Sequence, residues 1–333
     1  MRGPVKISVI ICTRDRPDTI GQALESVCQC HFAGFDVHVM DQSTNRQTQT
    51  IVEQLAARYA DKCVVNYHHL EKAGLSRAYN AGVAVSSAEI VACTDDDVVV
   101  PSDWLLEIAR AFESDPSVGL LYGQVLIPAS LVEAERGGLI VPSLPIERRE
   151  RLYKQHFKVF GMGANMAMRR SAHQSVGGFD EALGGGGPLR SSQDFDFAYR
   201  INRAGMSILL VPEIKVDHYG TRTAAQWPAT LIAYGIGDGA FYSKHIRCGD
   251  AFAFYLFTKV LVRQSARHAK YMVRGRSLSR DNYISGLFDG IRLASKFAVD
   301  RRTRLYRETA DAKLTVTQAN VVSGVQKSSP LGN

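Results

Sequence analysis

The chain has 333 residues, a net charge of +7, 45% hydrophobic and 22% charged residues, a globular composition that excludes wholesale disorder and fibrous repeats. Its length predicts one main α/β domain with an appendage. Six scattered cysteines (Cys12, Cys28, Cys30, Cys63, Cys93 and Cys248) form neither a disulfide framework nor a zinc pattern, which fits a reducing compartment.

From the N-terminus, short apolar runs predict strands at Val5–Cys12, Phe35–Asp41, Cys63–Tyr67 and Glu89–Thr94, alternating with helices near Asp18–Gln29, Gln47–Tyr59 and Ser76–Val85. Pro17 opens the first helix. This alternation predicts a parallel sheet wrapped by helices. A helix follows at Ser102–Ser114, residues 124–160 carry several prolines and read as an excursion from the sheet, and a second strand and helix unit runs from Met162 to Gly205. Beyond His218 the pattern turns helical and basic, with no further strand signal. Residues 240–307 hold 15 Lys/Arg against 4 Asp/Glu, a local excess of +11 that leaves the remainder at −4.

No signal-like segment precedes Val5, and no apolar stretch reaches the roughly 20 residues that span a bilayer. The expected location is cytoplasmic, or peripheral on the cytoplasmic face of the membrane.

In open α/β sheets, ligands bind beyond the carboxyl ends of the strands. Asp95, Asp96 and Asp97 stand at such an end, after Ile90-Val91-Ala92-Cys93-Thr94. Three adjacent carboxylates repel one another, and a hard divalent cation relieves that repulsion while bridging to a diphosphate. The alternative is a solvated acidic turn. Further on, Gly177-Gly178-Phe179-Asp180-Glu181 leads through Gly184-Gly185-Gly186-Gly187, a mobile lid or a floppy surface loop, into a helix beginning at Gln193-Asp194. On that helix Asp194 shares a stripe with Phe197, Ala198 and Ile201, placing a first-turn carboxylate at a cleft as a base or a plain N-cap. Asp196 aligns instead with Arg200, the spacing of a surface ion pair worth a few tenths of a kcal/mol.

Together these segments resemble the inverting family 2 glycosyltransferases over roughly residues 5–220. Val9-Ile10-Ile11-Cys12-Thr13-Arg14-Asp15-Arg16-Pro17 is similar to the family's opening strand and turn, and Val39-Met40-Asp41-Gln42-Ser43-Thr44 to the segment whose aspartate meets the nucleotide base. Gly74-Leu75-Ser76-Arg77-Ala78-Tyr79-Asn80-Ala81-Gly82 is similar to the segment whose arginine faces the donor, and Thr94-Asp95-Asp96-Asp97 takes the place of the DxD signature.

The resemblance implies a GT-A (nucleotide-diphospho-sugar transferase-like) α/β fold, a mostly parallel sheet flanked by helices with a helical basic C-terminal appendage. The catalytic domain would span 1–222, with a donor half to about 123 and an acceptor half from about 124. A helical basic region over 223–310 and a loose tail over 311–333 would follow. It further implies donor contacts from Thr13, Arg14, Asp41, Arg77, Asp95 and Asp96, a divalent metal (Mn2+ or Mg2+) on Asp97 and His218, and Asp194 as the base that deprotonates the acceptor hydroxyl. His218 reads equally well as structural. The family usually has Glu-Asp where this chain has Gln193-Asp194, so the supporting carboxylate is missing.

The implied partners are a nucleoside-diphosphate sugar, with UDP favoured by family habit, and a glycan or lipid-linked acceptor. Residues 250–275 alternate Phe252, Phe254, Tyr255, Leu256, Val260 and Leu261 with Lys259, Arg263, Arg267, Lys270 and Arg274. Such a stripe either lies on an anionic membrane or packs on the catalytic domain. No nucleic-acid motif accompanies it, so no nucleic acid is expected. Two other readings stay open: a haloacid dehalogenase-like phosphohydrolase using Asp95 and Asp97, and a non-catalytic membrane-associated protein that kept the fold.

Overall fold

A computed structural model describes residues 6–154, 161–273 and 281–307, without the side chains of 267–273 and 281. The expected tail over 311–333 lies outside the described residues, as do the side chains of Arg267 and Lys270 and all of Arg274. In chain order the elements are β1 (Ile7–Thr13), α1 (Pro17–Cys28), β2 (Asp36–Asp41), α2 (Gln47–Arg58), β3 (Val64–His69), α3 (Leu75–Val85), β4 (Ile90–Asp95), β5 (Val98–Val99) and α4 (Trp104–Ser114). There follow β6 (Val118–Leu126), α5 (Val132–Arg136), β7 (Glu150–Leu152), β8 (Asn165–Arg169), α6 (Arg170–Ser175), α7 (Gln193–Arg203) and β9 (Ser207–His218). The C-terminal elements are α8 (Trp227–Arg247), α9 (Ala251–Val273), α10 (Asp281–Ala294), β10 (Ala298–Asp300) and β11 (Leu305–Arg307).

The main sheet runs β3-β2-β1-β4-β8-β6-β9-β5, with β7 also on β9. Strands β1, β2, β3, β4, β6 and β9 share one direction, while β8, β5 and β7 oppose it. Every residue of β1 is buried, which is why its sequence is continuously apolar rather than alternating. The carboxyl ends of the shared-direction strands, and the start of the opposed β8, therefore meet at one edge.

Chain contacts divide the molecule into Met1–Glu181 with Ser192–Pro228, and Ala182–Ser191 with Ala229–Asn333. The first unit ends at Pro228, and the second also takes the glycine-rich segment. That segment is a tight turn, not a floppy loop. Gly187 N donates to Gly184 O at 2.9 Å, Leu189 N donates to Ala182 O at 2.9 Å, and Leu183 and Leu189 are buried with Ala240, Ala294, Phe297 and Tyr306.

Three further expectations are corrected. The excursion over 124–160 still contributes the end of β6 and all of β7. Strands do occur beyond His218, because β10 and β11 pair as an antiparallel hairpin. The Asp196–Arg200 pair is not a surface pair: the side chains are 0% and 2% exposed at 2.8 Å. Arg200 also donates to Val176 O and Gly178 O, at 2.7 Å each, so α7 is packed on the flank that its periodicity assigned to solvent. Removing one member of such a pair costs about 3–5 kcal/mol rather than tenths.

Candidate active site

Four strand ends supply the site. β1 ends at Thr13, β2 at Asp41, β4 at Asp95 and β9 at His218. The turn after β4 brings Asp97 back under His218, with Tyr219 N donating to Asp97 O at 2.8 Å. Contact there is close enough that a Cβ on Gly220 would lie 2.4 Å from Asp97 Oδ2. One ligand atom each from Asp95, Asp97 and His218 lies within 4.8 Å of the others.

The electrostatics of this cluster call for a cation. Burial, then Asp97, Asp96 and Asp194, push the Asp95 carboxyl up to about 8. Burial also holds Asp96 above the ordinary carboxylate range, against the opposing pull of Arg16 and Thr13. His218 is held below the usual imidazole value by burial, which outweighs the attraction of Asp97, so it presents a neutral ring. Its Nε2 stands 3.4 Å from Asp97 Oδ1, and its buried Nδ1 has no hydrogen-bond partner. Two carboxylates and a neutral imidazole with an unsatisfied nitrogen fit a divalent ion such as Mn2+ or Mg2+.

Arg16 is the residue that sequence reasoning passed over. Its Nη1 donates to Asp96 Oδ1 at 2.9 Å and to Asp97 Oδ2 at 2.8 Å. Thr13 Oγ1 donates to Asp96 Oδ2 at 2.7 Å, so Asp96 is held by protein on both oxygens. Arg14, expected at the donor, is half exposed and lies 3.6 Å from Asp15 Oδ2. The available signal was position: Arg16 is the N-cap of α1, directly before Pro17, where the chain turns back over the strand ends.

The base-contact candidate Asp41 is fully buried. Its Oδ1 accepts from Ser43 N and its Oδ2 from the Tyr67 hydroxyl, both at 2.8 Å. Asp15, left-handed at φ 53, accepts from Thr44 N at 3.0 Å and ties the β1 and β2 turns together. Arg77 pairs with Glu181 at 3.1 Å.

Asp194 enters from the first turn of α7, whose N-cap Ser192 is left-handed at φ 67. Its Oδ2 accepts from Gly163 N at 3.0 Å and its Oδ1 from Phe195 N at 2.8 Å. Burial raises its proton affinity and these backbone donors partly oppose the rise. Tyr79, fully buried, reaches Asp95 Oδ1 at 3.3 Å, and its own rise reflects burial first and then both Asp95 and Asp194. A Cβ on Gly163 would sit 3.3 Å from the Tyr79 hydroxyl and 3.8 Å from Asp194 Oδ2. Asp95, Tyr79, Gly163 and Asp194 thus form one run of close contacts, and Tyr79 and Gly163 are members that the sequence did not mark.

The mostly parallel sheet flanked by helices matches solved structures of GT-A glycosyltransferases. A mannosyltransferase from Pyrobaculum calidifontis in complex with GDP-Man and Mn2+ superposes with a TM-score of 0.57 at 18% identity, covering 97% of this chain and 88% of that one. TarS 1–349 from S. aureus gives 0.58 at 15% identity, covering 95% and 92%. The family model "Glycosyl transferase family 2" matches residues 8–177, and the chain belongs to that family. Among curated relatives, a pre-mycofactocin glycosyltransferase of Mycobacterium tuberculosis is 31% identical over 183 residues, 54% of this chain and 37% of its own length. A beta-monoglucosyldiacylglycerol synthase of Trichormus variabilis is 21% identical over 230 residues, 66% of this chain and 46% of its own. The chain spans less than half the length of these relatives. Family membership sets aside the phosphohydrolase reading, whose aspartates would follow the first strand rather than β4.

Proposed function

We propose that the chain is a metal-dependent, inverting glycosyltransferase that moves a sugar from a nucleoside-diphosphate donor to a hydroxyl of a glycan or lipid-linked acceptor, in cell-surface glycan or polysaccharide synthesis. The observation that carries the reading is the Asp95, Asp97 and His218 ligand set, joined through Tyr79 and Gly163 to a buried Asp194 whose proton affinity is raised. Asp97 and His218, with Asp95, would hold the divalent metal, which supplies charge stabilisation to the departing diphosphate. Arg16 adds a fixed positive charge beside it. Asp194 accepts the proton of the acceptor hydroxyl; its raised proton affinity brings it closer to the working pH of a general base. The hydroxyl oxygen attacks the anomeric carbon as the bond to the diphosphate breaks on the opposite face. Gln193, buried beside Asp194, cannot take that proton.

The test is calorimetric titration of UDP, dTDP and GDP, with and without Mn2+, into the wild type and the Asp97→Ala and Asp194→Asn variants. One nucleotide is expected to bind in a metal-dependent way, with UDP first choice. Asp97→Ala should lose that binding. Asp194→Asn should keep it and lose transfer by about 100-fold or more. Absence of any nucleotide binding overturns the reading; binding without transfer by the wild type points to the non-catalytic alternative.

A further inference from the structure

Among the described residues, eight large hydrophobic side chains are exposed, and five of them, Tyr234, Phe254, Tyr255, Val262 and Phe288, belong to the second unit. Three share α9, with Phe254 and Tyr255 each 55% exposed and Val262 69%. At helical spacing these fall on one side with Ala251 and Thr258, while Ala253, Phe257, Val260 and Gln264 fall on the other. The inner side is already used: Phe257 rests on Tyr242 of α8 with ring centroids 5.4 Å apart. A helix of this kind ordinarily turns charge outward. Here the outward side carries rings and a valine, bordered by exposed Lys259 and Arg263, which have no carboxylate partner among the described residues.

We propose that this outward face of α9 docks on an anionic lipid bilayer, the helix lying in the headgroup plane. No helix of the described residues is long and apolar enough to cross a membrane. Phe254, Tyr255 and Val262 enter the acyl boundary, and Lys259 and Arg263 meet lipid phosphates with their stems along the apolar surface. The local excess of +11 over residues 240–307 supplies the matching long-range attraction. A second copy of the chain is the poorer occupant, because a two-fold contact through this face sets the same basic border against itself.

The test is co-sedimentation of the full chain with vesicles of phosphatidylcholine alone, or with about one third phosphatidylglycerol, at low and high salt. The wild type should partition onto the anionic vesicles only, and less at high salt. The double variant Lys259→Gln with Arg263→Gln should bind about 25-fold more weakly, at about fivefold per basic side chain. Phe254→Ser with Val262→Ser should also release the protein, and circular dichroism melts of both pairs should match the wild type because the sites are exposed. Equal binding to neutral vesicles, no binding, or wild-type binding by both folded variants overturns the proposal. So does a wild-type dimer that the Phe254 and Val262 pair converts to monomer. None of these outcomes depends on sugar transfer, so the transferase reading stands or falls separately.

Discussion

A guanidinium that bridges two carboxylates, as Arg16 does for Asp96 and Asp97, neutralises part of a charge cluster that the sheet edge cannot solvate. Arg16→Gln should therefore lower the unfolding free energy by about 1–2 kcal/mol, the lower range being set by its 42% exposed side chain. Urea titration measures this, and added Mn2+ should raise the melting temperature of the variant more than that of the wild type. His173 is a second residue whose surroundings set its proton affinity. It is buried, its Nε2 lies 3.0 Å from Asn80 Oδ1, and burial, reinforced by Arg200, pushes it down to about 4. Its unfolded value is about 6.5, so the unfolded chain binds the proton first. The stability it contributes is complete above about 6.5 and is lost as pH falls through 6.5 towards 4, at up to about 1.4 kcal/mol per pH unit. In His173→Gln the fall in stability between about pH 7 and pH 5 should be shallower than in the wild type.

The helices α8 and α10 approach through glycine on both sides. A Cβ at Gly235 would lie 2.2 Å from Tyr283 O, at Gly239 2.0 Å from Leu287 O, at Gly286 2.3 Å from Ile232 O, and at Gly290 2.1 Å from Ile236 O. These are backbone atoms and cannot turn aside. Gly239→Ala must push the helices apart, and its gain in helix propensity of about 1 kcal/mol does not offset the lost packing. A net loss of about 2–3 kcal/mol is expected in denaturant titration. The element α7 illustrates the opposite arrangement, a helix packed on both flanks. Phe197 stacks on Phe179 at 4.2 Å on one side, and Arg200 clamps the turn at Val176 and Gly178 on another. This rigidity holds the first turn, and with it Asp194, at a fixed place.

The second unit draws a ten-residue segment from the middle of the chain, so it is not a simple C-terminal appendage. A chain cut after Pro228 removes Ala240, Ala294, Phe297 and Tyr306, leaving Leu183 and Leu189 without their core. Exposure of two leucines costs about 3–5 kcal/mol, so the truncated chain should melt earlier and bind a hydrophobic dye. A truncated chain with the full-length melting temperature would show that this core contributes little.

Strands β1 and β4 were legible because a strand buried on both faces is apolar along most of its length, and the Asp95-Asp96-Asp97 run marks where such a strand leaves the sheet. Asp194 was legible because its helical stripe is apolar. These signals are local, written within one turn or one strand. The hairpin of β10 and β11 and the return of β7 were not, since three-residue strands carry too little pattern to separate from loops, and the reversed direction of β8 depends on its strand neighbours rather than on its own sequence. Nor could spacing tell that Asp196 and Arg200 are buried: four residues apart means that two side chains meet, whatever lies above them. Arg16, Tyr79 and Gly163 joined the site only when β1, α3 and the chain before β8 met at one edge. The sequence by itself determined the longer elements and the acidic cluster through short-range periodicity, and the family resemblance through its motifs. Only the tertiary structure decided which charges are buried, which cation neutralises them and which apolar face is left outward, because those depend on neighbours far apart in the chain, as Thr13 and Asp96 are at 83 residues and Asp97 and His218 at still more.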